Sequence, residues 1–424
     1  MRNVLIVGGG ASGILVATNL LRHAKDQTSI VVADPRFPLG RGIAYSAQDP
    51  SHVLNVPAGR MSMFVDDPNH FVNWSQSDKN YFAPRMNYGD YLAQTYMHFN
   101  ENSAVATSEH VQLSVNHLEK TKDGWSATFS DGVHKSFDAV VIALGHGKAF
   151  ALSASISSSK NYIEDAWQDN YQISDGVLLG IGTGLTFVDH ALSHLRKSDK
   201  NSVIGISRNG LLPQSHLPNR AEPLPVDAYA RTTPDAVRKF IESSNDWRAA
   251  QDGIRHELPE IWHAWDDEKK NKFLKEQLRW WNVHRHRLSP EIGQEIQDMI
   301  AIGRLRIIAT ELISIADSDE RSIAHFADGT SLAVNSVLNC LGYQTVGDEG
   351  LLGSLFKSGV ASLGPLNLGL NTNFPDYQVV AKNGEVHKNL FALGPILFGE
   401  RFETTAIPEI RVQADSIALS ILNY

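Results

Sequence analysis

The chain has 424 residues, of which 42% are hydrophobic and 20% are charged, values typical of a globular protein with more than one domain. The formal net charge of -9 is spread along the chain without a basic block, so we expect neither nucleic acid nor an anionic membrane as a partner. Glycines interrupt the apolar run at the amino terminus, which disfavours a signal peptide, and no run is long enough to span a bilayer. The cytoplasm is the expected location.

The first predicted elements form a β-α-β unit. Residues 3–10 ("NVLIVGGG") are a continuous apolar run that predicts a buried parallel strand ending in glycines. Helical spacing follows in "ASGILVATNLLRHA", and residues 29–35 predict a second buried strand. A loop-rich segment covers residues 39–84, and "YGDYLAQTYMHF" then returns to helical spacing.

The middle of the chain predicts a second unit of the same kind. Residues 111–145 indicate short strands with Asp-Gly turns, and the serine-rich residues 153–159 predict a linker. The second strand-glycine-helix unit is "GVLLGIGTGLTFVDHALSHL", with "SVIGIS" as its next strand. Residues 234–303 combine many charges and tryptophans at helical spacing, which predicts a helical insertion. Strands resume after it, and the chain ends in a strand, a loop and an amphipathic helix.

The first glycine pattern is Gly8-x-Gly10-x-x-Gly13, between the first strand and the first helix. Gly8 permits a tight turn, Gly10 lets a pyrophosphate approach the backbone, and Gly13 lets the helix pack closely on the strand. Ser12 lies in the first helical turn, whose free N–H groups would bind the phosphates. Asp34 ends the second strand, where it would accept hydrogen bonds from ribose hydroxyls. The alternative is a glycine-rich turn without a ligand.

The second glycine pattern is Gly182-x-Gly184-x-x-Phe187. Phe187 stands where Gly or Ala is usual, so we expect its ring to push the helix away from the strand. The following strand ends in Ser207-Arg208 rather than in an acid, and this pair suits the 2′-phosphate of NADP. The alternative for Arg208 is a solvated surface side chain.

Two dinucleotide sites in one chain indicate a tightly held FAD and a transient NADPH, with hydride passing from the nicotinamide to the flavin. The single cysteine, Cys340, excludes a disulfide within the chain and a Cys-x-x-Cys redox pair. This removes the disulfide-reductase branch of two-nucleotide flavoenzymes. Cys340 itself lies in an apolar run and is expected to behave as a small buried hydrophobe.

The sequence also resembles the FAD/NAD(P)-binding flavoproteins, relatives of the flavin-containing and N-hydroxylating monooxygenases. The resemblance is carried by "VGGGASG", "GRGIAYS", "HVLNVPAGRMS", "PRMNYGDYL", "VVIALGH", "GIGTGLTFVD", "SRNGLLPQSH", "WWNVHRHRLSPE", "NCLGY" and "LFALGPILFGERFETTAIPEIRVQA". It implies an α/β fold with two Rossmann-like dinucleotide-binding domains, of the glutathione-reductase type, with a helical insertion. The implied FAD domain is split between residues 1–170 and 340–424, and the implied NAD(P) domain is 171–339, containing the insertion at 234–303.

The resemblance further implies which segments lie beside the flavin. Residues 140–145, ending in Gly145, and residues 338–342 would be the two crossovers between the domains. Gly394 and Pro395 would lie beside the ribityl chain, with Pro395 in place of the Asp of many relatives. Thr405 belongs to "FETTAIPEIR", where the start of the last helix would face the flavin pyrimidine. The alternative for that segment is a helix cap with a salt bridge between Glu403 and Arg411.

Residues 54–66 ("LNVPAGRMSMFVD") have neither strand nor helix periodicity. In the related monooxygenases a similar loop faces the isoalloxazine, where an amide would protect the N5 proton without supplying a reactive one. Asn55 is therefore our candidate catalytic residue. Pro57 and Gly59 would fix the path of the loop, and Met61 and Met63 would form an apolar wall. The alternative is that Asn55 caps a turn and the methionines fill the core.

The charged stretch "WNVHRHRLSP" has histidines two residues apart, which is poor geometry for one metal, so no metal site is predicted. Arg285 and Arg287 would bind an anion or pair with acids of the insertion.

These observations predict an FAD-dependent, NADPH-using monooxygenase that hydroxylates the nitrogen of a small amine or amino acid through a C4a-peroxyflavin. One alternative is a flavin reductase or dehydrogenase acting on an organic acceptor without oxygen insertion. Another is a flavin-binding assembly or sensor protein with little turnover, which Phe187 would favour. The expected partner is a small-molecule substrate, and the sequence leaves open whether the chain forms a homodimer.

Overall fold

Two parallel sheets form the framework of the chain, and each is built around one of the two glycine-ended strands. The computed structural model describes residues 1–168, 171–219, 221–318, 321–345, 347 and 349–423. The strands are β1 (Arg2–Val7), β2 (Thr28–Ala33), β3 (Ala106–Val111), β4 (Val115–Lys120), β5 (Trp125–Phe129), β6 (His134–Phe137), β7 (Ala139–Ile142), β8 (Tyr162–Ile163), β9 (Val177–Ile181), β10 (Ser202–Ser207), β11 (Leu305–Ala309), β12 (Leu312–Asp317), β13 (Ser322–Phe326), β14 (Ser331–Val334), β15 (Ser336–Asn339), β16 (Gln378–Val380) and β17 (Val386–Ala392).

The helices connect these strands and cover the sheets. They are α1 (Ala11–His23), α2 (His70–Ser75), α3 (Arg85–Asn102), α4 (Ala154–Ser157), α5 (Leu185–Lys197), α6 (Pro234–Glu242), α7 (Trp247–Ala264), α8 (Asp267–Lys272), α9 (Leu278–Arg285), α10 (Pro290–Ala301), α11 (Gly350–Ser358) and α12 (Ile407–Leu422). Helices α8 and α9 are joined by a π-helical stretch, Phe273–Gln277. Among the described residues, no helix is long and apolar enough to cross a membrane.

The first sheet has the strand order β16-β17-β7-β1-β2-β3. Its strands β17, β7, β1, β2 and β3 run parallel to one another, and the edge strand β16 is antiparallel to β17. Strand β1 lies in the middle, with Val4 beside Ile30 on one side and beside Ala139 on the other. The sheet thus combines strands from both ends of the chain, as the predicted split domain requires, while the domain boundaries stay a prediction.

The second sheet repeats the arrangement with the order β11-β10-β9-β15-β8. Its glycine-ended strand β9 is flanked by β10, which follows its helix, and by the return strand β15. We call the part of the chain around the first sheet the first half and the part around the second sheet the second half. In each half a three-stranded antiparallel sheet immediately precedes the return strand: β4-β5-β6 before β7, and β12-β13-β14 before β15. The repeat therefore extends well beyond the two strand-glycine-helix units that the sequence revealed.

The predicted insertion is helical, with α6 starting at Pro234 and α10 ending at Ala301. It has an apolar core of its own, containing the buried Trp262, Trp265 and Trp281. Residues 153–159, predicted to be a linker, lie between β7 of the first sheet and β8 of the second and contain the short helix α4. The serines there find backbone partners: Ser158 Oγ donates to the Ala154 carbonyl at 2.7 Å and Ser155 Oγ to the Ile313 carbonyl at 3.0 Å.

Candidate functional site

The first glycine turn joins β1 to α1 and leaves no space for side chains. Gly8 has φ +106°, and a Cβ there would lie 2.4 Å from the Ala143 carbonyl oxygen. A Cβ on Gly13 would lie 1.9 Å from the Gly8 carbonyl oxygen. Only glycine fits these two positions, because the helix packs directly on the turn. The predicted roles of Gly8 and Gly13 in close backbone packing therefore match the geometry.

The amino terminus of α1 is open to an anion. Gly10 is the N-cap residue, and among the described residues no side chain caps this end. The first N–H groups of the helix, including that of Ser12, therefore have no intrahelical acceptor and can bind phosphate. Gly42 packs against Gly10, since its Cβ would lie 3.3 Å from the Gly10 Cα. A glycine on both sides of the turn keeps the approach narrow but free of side chains.

Asp34 lies where the sequence predicts, at the end of β2, and it is 4% exposed. Its Oδ2 accepts the Gly9 N–H at 2.7 Å, and its Oδ1 accepts the Arg36 N–H at 2.9 Å. Burial alone would raise the pKa of this carboxyl, but the hydrogen bonds and charge of Arg36 prevail and lower it. The Arg36 side chain also donates to it, from Nε to Oδ1 at 3.2 Å and from Nη2 to Oδ2 at 3.4 Å, which occupies the remaining acceptor positions. A ribose hydroxyl would therefore bind Asp34 by displacing the exposed guanidinium of Arg36.

The late segment at Gly394 meets the first turn, while its position beside a ribityl chain stays a prediction. Gly394 has φ +80°, and a Cβ there would lie 2.8 Å from Ser12 Oγ. Pro395 follows as the second residue of a short 3₁₀ helix, Gly394–Leu397. Ser12, Gly394 and Pro395 thus lie at one place, beside the start of α1.

Gln413 of α12 holds this segment, a role that the sequence analysis missed. Its Oε1 accepts the Gly394 N–H at 2.9 Å, and its Nε2 donates to Thr404 Oγ1 at 2.8 Å. Thr404 Oγ1 donates in turn to the Gly394 carbonyl at 3.0 Å, which closes a buried triangle. The signal in the sequence is a glutamine on the apolar face of the last helix. Thr405, the predicted residue, is exposed next to this triangle, just before α12 begins.

The loop of residues 54–66 divides into two parts. Met61 and Met63 are 2% and 0% exposed and belong to the core of the first half, so they match the core alternative. Pro57 is buried and precedes a single 3₁₀ turn, Ala58–Arg60. Asn55 is half-buried, and its backbone carbonyl lies 3.1 Å from His216 Nε2 in the second half of the chain. Asn55 therefore stands between the two halves and remains a candidate, while its catalytic role stays a prediction.

The second glycine turn copies the first. Gly182 has φ +94°, and a Cβ there would lie 2.7 Å from the Cys340 carbonyl oxygen at the end of β15. Gly184 is the N-cap residue of α5, again with no side-chain cap among the described residues. The Cys340 thiol itself is buried, and burial raises its pKa. A buried thiol with a raised pKa behaves as a small hydrophobic side chain and not as a reactive thiolate.

Phe187 does not push α5 away, so that expectation was wrong. Its ring lies over two strand glycines: a Cβ on Gly180 would lie 2.4 Å from Phe187 Cδ2, and a Cβ on Gly205 would lie 2.5 Å from Phe187 Cζ. The space usually provided by a small residue on the helix is provided here by glycines on β9 and β10. Helix α5 therefore packs closely on the sheet, with the large residue on the helix and the small residues on the strands.

The second turn opens into a cleft of about 750 Å³. Gly182, Gly184, Ser207 and Arg208 all line it, as expected for one dinucleotide site. Thr183 Oγ1 donates to Ser207 Oγ at 3.0 Å, which ties the turn to the end of β10. Arg208 is 65% exposed, and its Nε lies 3.7 Å from Glu311 Oε1. Its charge is thus available at the rim of the cleft.

The stretches that follow the two predicted crossovers, residues 140–145 and 338–342, run side by side between the sheets. Gly147 N–H donates to the Gln344 carbonyl at 2.9 Å, and Gln344 N–H donates to the Lys148 carbonyl at 2.9 Å. Gly145 has φ +74°, with no atom of the described residues within 4 Å of where a Cβ would stand. It therefore borders open space at the end of β7.

A polar contact on α5 also fixes the two halves to each other. Arg85 at the start of α3 forms an ion pair with the buried Asp189 of α5, with 3.0 Å between Nη2 and Oδ2. His52 Nε2 lies 2.9 Å from Ser193 Oγ, which also donates to Asp49. No local pattern in the sequence indicates this contact, because its partners are more than 100 residues apart.

The insertion is anchored to the segment that precedes α12 by a buried charge cluster. Glu403 accepts hydrogen bonds from Trp281 Nε1 at 3.0 Å and from Arg285 Nε at 2.9 Å. Arg255 lies beside Glu403, at 3.9 Å, and pairs with Glu409 at 2.6 Å. Both predicted anion-binding arginines are thus paired, since Arg287 bonds to Asp252 of the insertion at 3.0 Å. The alternative of pairing with acids of the insertion therefore holds for Arg287, whereas Arg285 pairs with Glu403 outside the insertion.

Comparison with known proteins agrees with this architecture. Residues 5–147 match a protein-family model described as FAD-NAD(P)-binding. No curated protein sequence was found to match the chain. The similar solved structures include ornithine hydroxylase from Pseudomonas aeruginosa, at 14% identity and TM-score 0.64, covering 100% of this chain and 99% of that one.

Two further structures have the same fold. Ornithine N-hydroxylase from Kutzneria sp. 744, described with FADred, NADP+ and L-orn, is 13% identical, with TM-score 0.62 and 99% of both chains covered. Bacillithiol disulfide reductase from Bacillus cereus is 14% identical, with TM-score 0.58, covering 100% of this chain and 99% of that one. At these identities the likeness concerns the fold.

The chain has the fold of the two-dinucleotide-binding flavoproteins, with a glycine turn at the end of a central strand in each parallel sheet. Its residues 5–147 carry an FAD/NAD(P)-binding domain.

Proposed function

We propose that this chain is an FAD- and NADPH-dependent oxidoreductase, with FAD on the first glycine turn and NADPH on the second. The observation that carries the proposal is the repeat itself. Both turns lie at the carboxyl ends of equivalent central strands, and the paired crossovers connect the two sheets. Ligands of such sheets bind at this edge. The proposed FAD domain comprises residues 1–170 and 340–424, and the proposed NAD(P) domain comprises 171–339.

The first turn fits the diphosphate of a dinucleotide on structural grounds. Its glycines form a cradle that a Cβ would fill, and the open start of α1 offers N–H donors. FAD bound there would accept hydride and, once reduced, could react with oxygen. The residues of this chain would hold its diphosphate (Gly10, Ser12), its ribose (Asp34) and its ribityl chain (Gly394), while Asn55 would donate a hydrogen bond beside the ring.

We further propose that the reaction is monooxygenation of a small amine or amino acid nitrogen. The support is the likeness of fold to ornithine hydroxylases, together with the cysteine content. A disulfide reductase of this fold would need two thiols, and the chain has only the buried Cys340. The runner-up is a reductase that passes electrons to an organic acceptor. The low-turnover flavin-binding protein loses its main support, because Phe187 is accommodated without distortion.

The test begins with the visible spectrum of the purified protein, which should show bound flavin. Anaerobic NADPH should then bleach it; failure at millimolar NADPH would reject both enzyme proposals. Mixing the reduced protein with oxygen in a stopped-flow instrument separates the remaining two. A long-lived transient absorbing below the flavin bands, followed by amine-dependent oxygen consumption, supports monooxygenation, whereas direct reoxidation without a transient supports the reductase.

A further inference from the structure

The helical insertion contributes one wall of the cleft at the second glycine turn. Four residues of α9 and its end line it: Arg279, Asn282, Val283 and His286. Their spacing of three, four and seven residues places them on one face of a helix. The opposite face carries Trp281 and Arg285, which bond to Glu403. The buried charge cluster therefore fixes α9 in the orientation that presents this stripe to the cleft.

The amino-terminal end of the stripe lies at the rim where Arg208 stands. Arg279 Nη1 donates to Asn209 Oδ1 at 3.0 Å, so the insertion is joined to the turn that follows β10. Arg279 and Arg208 are both exposed there, and Glu311 is the carboxylate beside Arg208. Two guanidinium groups and one carboxylate leave this rim with a net positive charge, in a chain whose overall charge is -9.

The other end of the stripe is His286, which follows α9. Burial, together with the nearby charges of Arg285 and Arg255, lowers the pKa of its imidazole to about 3. The ring is therefore neutral at physiological pH and places no repelling charge in the cleft. A stripe with a cation at one end and a neutral donor-acceptor ring at the other suits an extended ligand that is anionic at one end.

We propose that α9 of the insertion is a coenzyme-recognition helix, with Arg279 as the second cation, beside Arg208, that binds the 2′-phosphate of NADPH. The inference rests on the proposed NADPH site and assigns the insertion a role in coenzyme choice. Glu311 acts in the opposite sense, since its carboxylate repels a phosphate and competes for Arg208. Planar guanidinium groups suit a phosphate at this position because each can donate two parallel hydrogen bonds.

The experiment uses 2′,5′-ADP and 5′-AMP as probes, because they differ only in the 2′-phosphate and undergo no redox chemistry. Binding to the flavin-loaded protein is measured by calorimetry. We expect Arg279→Ala to raise the Kd for 2′,5′-ADP by roughly tenfold or more, and the Kd for 5′-AMP by less than about twofold. Arg279→Lys should restore part of the affinity, and Glu311→Gln should tighten 2′,5′-ADP binding.

The matched control is Lys275→Ala, which removes an exposed charge from the same helical run but outside the cleft lining found in the described residues. It should change neither Kd. Equal losses for both probes in Arg279→Ala, or no loss, would overturn the assignment, as would a wild-type protein that does not prefer 2′,5′-ADP to 5′-AMP. Flavin reduction by NADH would still proceed in that last case, so the oxidoreductase proposal is tested separately.

Discussion

Replacing Glu403 by Gln should strongly destabilise the contact between the insertion and the segment before α12. Glu403, Arg285 and Arg255 are all at most 6% exposed at the side chain, so solvent screens their charges little. The variant keeps the volume but leaves two buried guanidinium groups with the single carboxylate of Glu409. Breaking one partner of a buried ion pair typically costs ~3–5 kcal/mol. We expect about 3 kcal/mol, because the amide oxygen of Gln still accepts one hydrogen bond.

The assay is thermal unfolding followed by tryptophan fluorescence and by release of flavin fluorescence. A loss of this size should lower the midpoint by roughly 3–4 °C if all 424 residues unfold as one unit, and Arg285→Met added to Glu403→Gln should recover part of it. The control is Glu295→Gln, which removes a partially exposed ion pair with Arg196 and should cost ~1 kcal/mol or less. If the two glutamate variants lose the same stability, the buried cluster does not anchor the insertion.

Three further outcomes follow from the geometry. Gly205→Ala should destabilise the second half by ~1–3 kcal/mol, because its Cβ would meet the Phe187 ring at 2.5 Å, and a smaller residue at 187 should relieve the loss in denaturant unfolding. Arg208→Ala should weaken NADPH binding far more than NADH binding in fluorescence titrations; equal effects would defeat the 2′-phosphate assignment. Burial lowers the pKa of His190 to about 3 in the folded protein, so the unfolded chain binds the proton first. The contribution of His190 to stability should therefore be fully present above the unfolded pKa of about 6.5. Between that pH and about 3, the free energy of unfolding should fall by up to ~1.4 kcal/mol per pH unit, and His190→Gln should reduce this slope. A pH profile of stability that is the same in the variant as in the wild type would refute the prediction.

The two glycine turns, the strands that precede them and the helices that follow were predictable from the amino-acid sequence alone. These features depend on local properties, namely apolar runs, helical spacing and positions that only glycine tolerates. The helical nature of residues 234–303 was predictable for the same reason. The family resemblance added the two crossovers and the expectation that the late Gly394 segment lies beside the flavin.

Contacts between distant residues were not predictable from the sequence and are seen in the three-dimensional arrangement of the chain. Phe187 predicts a distorted site from the sequence, but Gly180 on β9 and Gly205 on β10 lie beneath its ring and make room for it. Met61 and Met63 proved to be core, and Gln413 emerged as the residue that holds Gly394. Periodicity tells which face of an element is buried, but not which atoms it meets, because that depends on strand order and on contacts between residues hundreds of positions apart.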